Sequence, residues 1–276
     1  MANHAPAAAP NRPPSVGLDL RLVVFDFDGT LSWVRHGWPG IMRRLFAERL
    51  PPRAGESVAQ VQQVFDGIIF GLNGKPTLLQ MIRFAEVVRE HGGPAFDPEE
   101  LRRAYQDRLD QAIAERAARI RARSVADDAY VVHGARPLLE QLRAAGVRMA
   151  VVSSTVEERV REEAELLGLT RYFDNRIHGC VGDPTTYAKR GVFERLLRED
   201  GISGSQVLAF GDGPVEIVET KRLGGIAVAV CSDEEHNGSG INDTVKHRQL
   251  LEAGADYAIP DFRDAIALVN RLRSRP

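Results

Sequence analysis

The chain has 276 residues, of which 43% are hydrophobic and 27% are charged, and its formal net charge is -2. These proportions are ordinary for a globular protein with one large or two modest domains. No basic block indicates a nucleic-acid partner, and no apolar run approaches the roughly 18–20 residues that cross a membrane. The two cysteines, Cys180 and Cys231, are far apart in sequence and lack a metal-binding spacing. We therefore expect buried thiols in a cytoplasmic protein.

The first part of the chain predicts a tail followed by a buried strand. Residues 1–18 are rich in alanine and proline and lack the segments of a signal peptide, which predicts disorder. Four apolar residues then precede two carboxylates in Leu22-Val23-Val24-Phe25-Asp26-Phe27-Asp28-Gly29-Thr30. Such a run is typical of a strand buried on both faces of a parallel sheet, where ligands bind beyond the carboxyl ends of the strands.

The two carboxylates of this run indicate a site for a hard cation or a phosphoryl group. Asp26 and Asp28 are two residues apart, so they point to the same side of an extended strand. The alternative interpretation is a strand that ends in an ordinary Asp-Gly turn.

Between residues 32 and 126 the apolar spacing predicts helices only. A first helix is predicted over 41–50, a stripe with helical period from residue 58 to 72 predicts a second, and a third is predicted over 78–91. Asp97-Pro98-Glu99-Glu100 then predicts the capped start of a long fourth helix. Because these residues follow the first strand directly, we expect a separate helical domain inserted into the fold.

From residue 127 to 276 strands and helices alternate. Apolar runs predict strands over 147–152, 176–180, 207–210, 226–230 and 257–259, with a polar surface loop over 232–243. This alternation predicts an α/β fold with a doubly wound, mostly parallel sheet, formed by residues 19–31 and 127–276.

Three further polar motifs follow this order. Ser153 ends the predicted strand 147–152, and Lys189 begins a predicted helix. Gly211-Asp212-Gly213-Pro214-Val215-Glu216 follows a third strand. A hydroxyl at a helix start can hold a phosphate oxygen, and a lysine can neutralise a transferring phosphoryl group. The alternatives are a helix-capping box that begins at Thr155, a solvent-exposed lysine and a simple Gly-Asp-Gly turn.

Lysine is scarce in this chain, which uses arginine for 32 of its 36 basic residues. The four lysines are Lys75, Lys189, Lys221 and Lys246. Scarcity is a weak indication that each retained lysine has a specific role. Lys75 stands in the polar turn Gly71-Leu72-Asn73-Gly74-Lys75-Pro76-Thr77 between two predicted helices, and the alternative for it is an ordinary turn with a solvated lysine.

The four motifs, in this order and each placed at the end of a strand or the start of a helix, resemble the signatures of the haloacid dehalogenase (HAD) superfamily of phosphohydrolases. The helical insertion is similar to the cap of the phosphoglycolate phosphatase and beta-phosphoglucomutase group. The resemblance implies a Rossmann-like core with a helical cap and Mg²⁺ as cofactor. The family more often has Asp where this chain has Glu216, so direct and water-mediated contact with the metal both remain open.

The resemblance also implies a role for each matching residue. Asp26 would be the nucleophile and Asp28 the general acid and base, while Ser153 and Lys189 would position the phosphoryl oxygens. The expected metal ligands and substrate contacts form two larger sets. The metal set is Asp26, Asp28 through its carbonyl, Asp212 and Glu216. The substrate set is Gly29, Thr30, Ser154, Asn73 and Lys75, of which the last two would reach the leaving group from the cap.

These residues predict a Mg²⁺-dependent phosphomonoester hydrolase that works through an aspartyl-phosphate. Its substrate would be a small phosphorylated metabolite, such as a sugar phosphate or a phosphoglycolate-like ester, and the protein would be a monomer or homodimer without membrane contact. A phosphomutase on the same core and a non-catalytic phosphate- or partner-binding module are the alternatives. A dehalogenase fits less well, because that chemistry needs neither a second carboxylate at Asp28 nor a metal site.

Overall fold

The structure is a computed structural model that describes residues 17–72, 75–182, 187–233 and 236–274. Its residues form two compact units, one made of the chain up to His36 and from Ile120 onward, the other of Gly37–Arg119. The predicted boundaries of the insertion were 32 and 126. The segment just before Gly37 belongs to the first unit because Trp33 N donates to Tyr130 O at 2.8 Å and Val132 N donates to Leu31 O at 3.0 Å. Most of the predicted tail, residues 1–16, lies outside the described part.

A six-stranded sheet forms the centre of the first unit, and every described pair of strands is parallel. Its strands are β1 (Leu22–Phe25), β2 (Arg148–Val156), β3 (Ile177–Cys180), β4 (Val207–Gly211), β5 (Ile226–Val230) and β6 (Tyr257–Ile259). Their order in the sheet is β3-β2-β1-β4-β5-β6. The predicted fold class is confirmed. The order reverses between β1 and β4, which is where α/β sheets of this kind bind ligands.

Ten α-helices complete the described chain. The helical unit contains α1 (Trp38–Ala47), α2 (Val58–Gly71), α3 (Thr77–Glu90) and most of α4 (Pro98–Arg121). The first unit carries α5 (Ala135–Ala144), α6 (Glu157–Leu166), α7 (Lys189–Asp200), α8 (Pro214–Arg222), α9 (Thr244–Glu252) and α10 (Ala265–Arg273). No helix of the described ranges is long and apolar enough to cross a membrane.

Strand β1 is buried on both faces, as its apolar run predicts. Leu22 and Val24 pack in a cluster with Phe193 of α7, and Phe25 stacks on Phe210 of β4 with ring centroids 5.3 Å apart. In the paired register Phe25 faces Val151 of β2 and Phe210 of β4. The residues that follow these three positions therefore emerge at one edge of the sheet.

The helical unit has an apolar core of its own. The rings of Phe46 and Phe84 stack 3.9 Å apart, and Phe65 contacts both edge-on. Ser57 begins α2 with a capping box, in which Ser57 Oγ accepts from Gln60 N and Gln60 Oε1 accepts from Ser57 N. The predicted helical stripes are the buried faces of these helices.

Candidate active site

Four of the predicted motifs meet at the carboxyl edge of the sheet. Asp26 directly follows β1, and its backbone N–H donates to the carbonyl of Phe210 in β4 at 2.9 Å. Asp212 follows β4, Lys189 is the first residue of α7, and Ser153 lies in β2. Strand β2 is longer than predicted and continues to Val156 through a register shift against β3, so Ser153 lies within the strand and not after it.

Lys189 joins two of the carboxylates. Its Nζ donates to Asp26 Oδ1 at 2.9 Å and to Glu216 Oε1. All three residues are buried, and only 3% of Lys189 is exposed. The alternative of a solvent-exposed lysine is therefore wrong. The two carboxylates supply the anions that a buried ammonium requires. Glu216 Oε2 is buried and has no hydrogen-bond partner among the described residues.

Asp28 is held by two other side chains. Thr155 Oγ1 donates to Asp28 Oδ2 at 2.8 Å, and Arg35 Nε lies 3.3 Å from Asp28 Oδ1. Loss of hydration raises the pKa of Asp28 above its ordinary value, although Arg35 and the Thr155 hydrogen bond oppose the shift. The proposed capping box at Thr155 is wrong, since α6 begins after Val156 without a side-chain cap and the Thr155 hydroxyl binds Asp28.

Arg35 is bound in turn by Glu163 of α6. Its Nε donates to Glu163 Oε2 at 3.2 Å and its Nη2 donates to Oε1 at 2.6 Å. Burial raises the pKa of Glu163 to about 7, with Arg35 opposing the shift. Sequence reasoning missed both residues. Arg35 is one of 32 arginines and Glu163 lies in a helix rich in glutamate, so neither carries a distinguishing signal.

Asp212 contacts a second lysine that the motifs do not include. Lys246 Nζ donates to Asp212 Oδ2 at 3.1 Å, and Thr30 Oγ1 donates to Oδ1 at 3.4 Å. Gly29 has a φ of +74°, and a Cβ on it would collide with Asp212 Oδ2, so only glycine fits here. The scarcity of lysine was the available signal for Lys246.

The loop predicted over 232–243 binds the segment after β1. Asn237 Oδ1 accepts from Trp33 Nε1 at 3.0 Å and from His133 N at 2.9 Å, and Asn237 Nδ2 donates to Val131 O at 2.8 Å. Ser232 Oγ donates to the carbonyl of Gly29 at 2.9 Å. The loop therefore fixes the segment that carries the paired carboxylates, a role that its polar composition did not indicate.

The remaining predicted residues are placed as follows. Ser153 is buried, and its Oγ accepts from Thr155 N at 3.1 Å, while Ser154 beside it is half-buried. Lys75 is exposed in the turn before α3, in the helical unit. Asn73 lies outside the described residues. The substrate contacts expected for Ser154, Asn73 and Lys75 stay predictions.

The donor set at this edge fits a hard divalent cation. Asp26, Asp212 and Glu216 offer carboxylate oxygens, and the unpartnered Glu216 Oε2 is an atom that a cation or its water would satisfy. No three Asp, Glu, His or Cys side chains in the described part of the chain form a metal cluster. Mg²⁺ uses one or two carboxylates together with waters and phosphate oxygens, so this arrangement suits it. Glu216 also binds Lys189, and direct and water-mediated contact with a metal both stay open.

Comparison with known proteins places the chain beside one family model, two curated relatives and two solved structures. A sequence model of the haloacid dehalogenase-like hydrolases matches residues 20–224. The phosphoserine phosphatase of Archaeoglobus fulgidus is 35% identical over 112 residues, which cover 35% of this chain and 31% of that protein. A predicted phosphoglycolate phosphatase from Haemophilus somnus has a TM-score of 0.61 at 16% identity, covering 91% of this chain and 98% of its own.

A haloacid dehalogenase-like protein of unknown function from Agrobacterium tumefaciens has a TM-score of 0.62 at 17% identity. The match covers 91% of this chain and 98% of the Agrobacterium chain. The chain spans under a third of the Archaeoglobus protein, and 59% of a second curated relative, PpaX from Clostridium perfringens. At these identities the solved structures share the fold with this chain.

Proposed function

Because the chain belongs to the haloacid dehalogenase-like hydrolases, we propose that it is a Mg²⁺-dependent phosphatase acting on phosphomonoesters of small metabolites. The observation that carries this proposal is the buried pair between Asp26 and Lys189, with Asp28 two residues further on. A phosphatase of this type needs an ionised carboxylate as nucleophile and a protonated one as acid. The raised pKa of Asp28 supports its role as the acid, and the contact of Asp26 with the Lys189 ammonium supports its role as the nucleophile.

In the first step Asp26 attacks phosphorus and forms an aspartyl-phosphate. Lys189 fixes the direction of the Asp26 carboxylate through Oδ1, which leaves Oδ2 for the attack, and its charge reduces the repulsion from an anionic ester. Asp28 gives its proton to the leaving oxygen and in the second step accepts a proton from the attacking water. Ser153 would contact a phosphoryl oxygen.

The metal would be held by Asp26, Asp212 and the carbonyl of Asp28, with Glu216 close by. When bound, Mg²⁺ neutralises charge on the phosphoryl oxygens. Asp212 is oriented for this by Thr30 Oγ1 and by its contact with Gly29.

Phosphate release from phosphorylated sugars, glycolate, serine, nucleotides and polyols, with and without Mg²⁺, tests this proposal. We expect turnover of at least one ester that stops with chelator and returns with Mg²⁺. Asp26→Asn should keep the fold and less than about a hundredth of wild-type kcat, since an amide does not attack phosphorus. Asp19→Asn, at an exposed carboxylate outside the site, is the matched control.

Acid quench during turnover, followed by mass spectrometry, should show phosphate on the peptide that contains Asp26. Full activity in chelator, or an Asp26→Asn variant that turns over like the control, would contradict the proposal. Transfer of the phosphoryl group back to substrate, in place of release, would identify a phosphomutase.

A further inference from the structure

The carboxyl of Asp28 is held so that its two oxygens have different surroundings. Oδ2 accepts the 2.8 Å hydrogen bond from Thr155, at the end of β2. Oδ1 lies 3.3 Å from Arg35 Nε and is buried without a hydrogen bond to any described residue. Oδ1 is therefore enclosed by the protein with Arg35 as the charge beside it, and the rest of the carboxyl, which is part-exposed, offers Oδ2 for a proton transfer.

Arg35 is held in one orientation by Glu163. The two hydrogen bonds, at 3.2 and 2.6 Å, form a bidentate contact that fixes the plane of the guanidinium. Arg35 and Glu163 are 9% and 6% exposed. Burial removes hydration from both charges, and their mutual attraction offsets that cost only in part. The pair therefore contributes little to the free energy of unfolding. Its position next to Asp28 suggests a different role.

We infer that Arg35, oriented by Glu163, is a positioning residue that holds Asp28 through Oδ1 and so keeps Oδ2 directed at the leaving oxygen of the substrate. This rests on the phosphatase function proposed above. When the P–O bond to the leaving group breaks, its electron pair stays on the leaving oxygen, which takes the proton from Asp28. The carboxylate so formed lies beside the Arg35 guanidinium. In the second step the same carboxylate takes a proton from water as the bond between phosphorus and Asp26 breaks.

Two aryl esters separate this role from a purely structural one. The 4-nitrophenolate ion leaves without a proton, whereas phenolate leaves much more readily when it is protonated. The ratio kcat/KM reports the steps up to transfer of the phosphoryl group to Asp26, so it isolates the use of Asp28 as acid.

For Arg35→Gln we expect kcat/KM for phenyl phosphate to fall by about 100-fold, the lower range for loss of a general acid. The same ratio for 4-nitrophenyl phosphate should fall by less than about threefold, because that leaving group needs no acid. In the second step the misplaced base should slow hydrolysis of the aspartyl-phosphate. A burst of 4-nitrophenolate equal to the enzyme concentration should then precede steady turnover.

Three further variants complete the design. Arg35→Lys keeps the charge but not the bidentate contact, so it should recover part of the activity toward phenyl phosphate. Glu163→Gln should show the same selective loss to a smaller extent, and it carries the test if Arg35→Gln does not fold. Arg176→Gln is the control, because Arg176 makes a bidentate pair with buried Asp200 through bonds of 2.9 and 2.5 Å. It should affect both esters equally or not at all.

Equal losses with both esters, or no loss with either, would overturn the assignment of Arg35 and leave the phosphatase function intact. Failure of the wild-type protein to hydrolyse any phosphate ester would overturn the proposed function, and this inference with it.

Discussion

Three of the four lysines in this chain pair with carboxylates. Lys189 pairs with Asp26, Lys246 with Asp212, and Lys221 with Asp256. An ammonium is a compact charge that fits against a single buried carboxylate, where the broad guanidinium of arginine would need more room. The scarcity of lysine in the sequence indicated Lys189 and would have indicated Lys246, but it could not say which carboxylate each would meet.

Lys246 should weaken metal binding, because its ammonium shares the Asp212 carboxylate with the expected cation. We predict that Lys246→Gln binds Mg²⁺ roughly 5- to 10-fold more tightly, about 1–1.4 kcal/mol, when titrated calorimetrically without substrate. Lys221→Gln is the control, since Asp256 lies away from the site and Lys221 binds both of its oxygens at 2.7 and 2.8 Å. Unchanged or weaker binding in Lys246→Gln would contradict this account of Asp212.

Glu163 should make stability depend on pH. Its pKa is about 7 in the folded protein, above the ordinary value of 4.5, so the folded state holds the proton more tightly than the unfolded chain. The free energy of unfolding should therefore be highest below about pH 4.5 as far as Glu163 is concerned, and should fall as pH rises toward 7. Asp28, whose pKa is also raised, contributes in the same direction.

Urea unfolding of the metal-free protein at pH 5 and pH 7.5 measures this effect. We predict that Glu163→Gln reduces the difference in unfolding free energy between the two pH values by about 1–3 kcal/mol. Glu162→Gln, at the exposed neighbouring position in α6, should leave the difference as in wild type. An unchanged pH difference in Glu163→Gln would contradict this account, and would mean that Arg35 keeps Glu163 ionised throughout this range.

At the scale of elements, the strands and most helices could be predicted because their signals are local. An apolar run or a helical stripe is visible in residues that are close together in the sequence. The aspartates that follow the strands, Asp26, Asp28 and Asp212, could be predicted for the same reason. The contacts that were missed join distant parts of the chain, as Arg35 with Glu163 and Trp33 with Asn237 show. No residue spacing encodes such pairs, because they depend on how the finished elements pack.

The loop over 232–243 shows this limit most clearly, and it offers a test at the scale of one element. Asn237→Ala would leave Trp33 Nε1, His133 N and Val131 O without their partners. We predict a loss of about 1–3 kcal/mol in the free energy of unfolding, since Trp33 and Val131 are buried and each buried group without a partner costs roughly 1 kcal/mol or more, whereas His133 N is exposed and can bind water. Urea titration measures it. His236→Ala, at an exposed neighbour, should stay within about 0.5 kcal/mol of wild type, and equal stability of both variants would contradict the role given to Asn237.

At the scale of the whole molecule, the chain combines a unit that carries the proposed reacting groups with a helical unit that has a separate core. The motifs of the first unit are common to phosphoryl transfer on any ester, so they do not select a leaving group. Selectivity for the leaving group must therefore come from residues outside the motifs. The resemblance to capped phosphatases assigns that role to the turn that contains Lys75, whose side chain is exposed before α3.

If Lys75 binds the leaving group, its removal should matter only for substrates that offer an anionic or polar leaving group. We predict that Lys75→Ala lowers kcat/KM for the best metabolite ester of the panel by about 1.5–3 kcal/mol, roughly 10- to 150-fold, the range for a charge-assisted hydrogen bond. The value for 4-nitrophenyl phosphate, which gives the lysine nothing to bind, should hardly change. Arg89→Ala, at an exposed cation of α3, is the control for a general loss of positive charge. Equal effects of Lys75→Ala on both esters, or the same selective loss in Arg89→Ala, would contradict this role and mean that Lys75 is an ordinary solvated lysine in a turn.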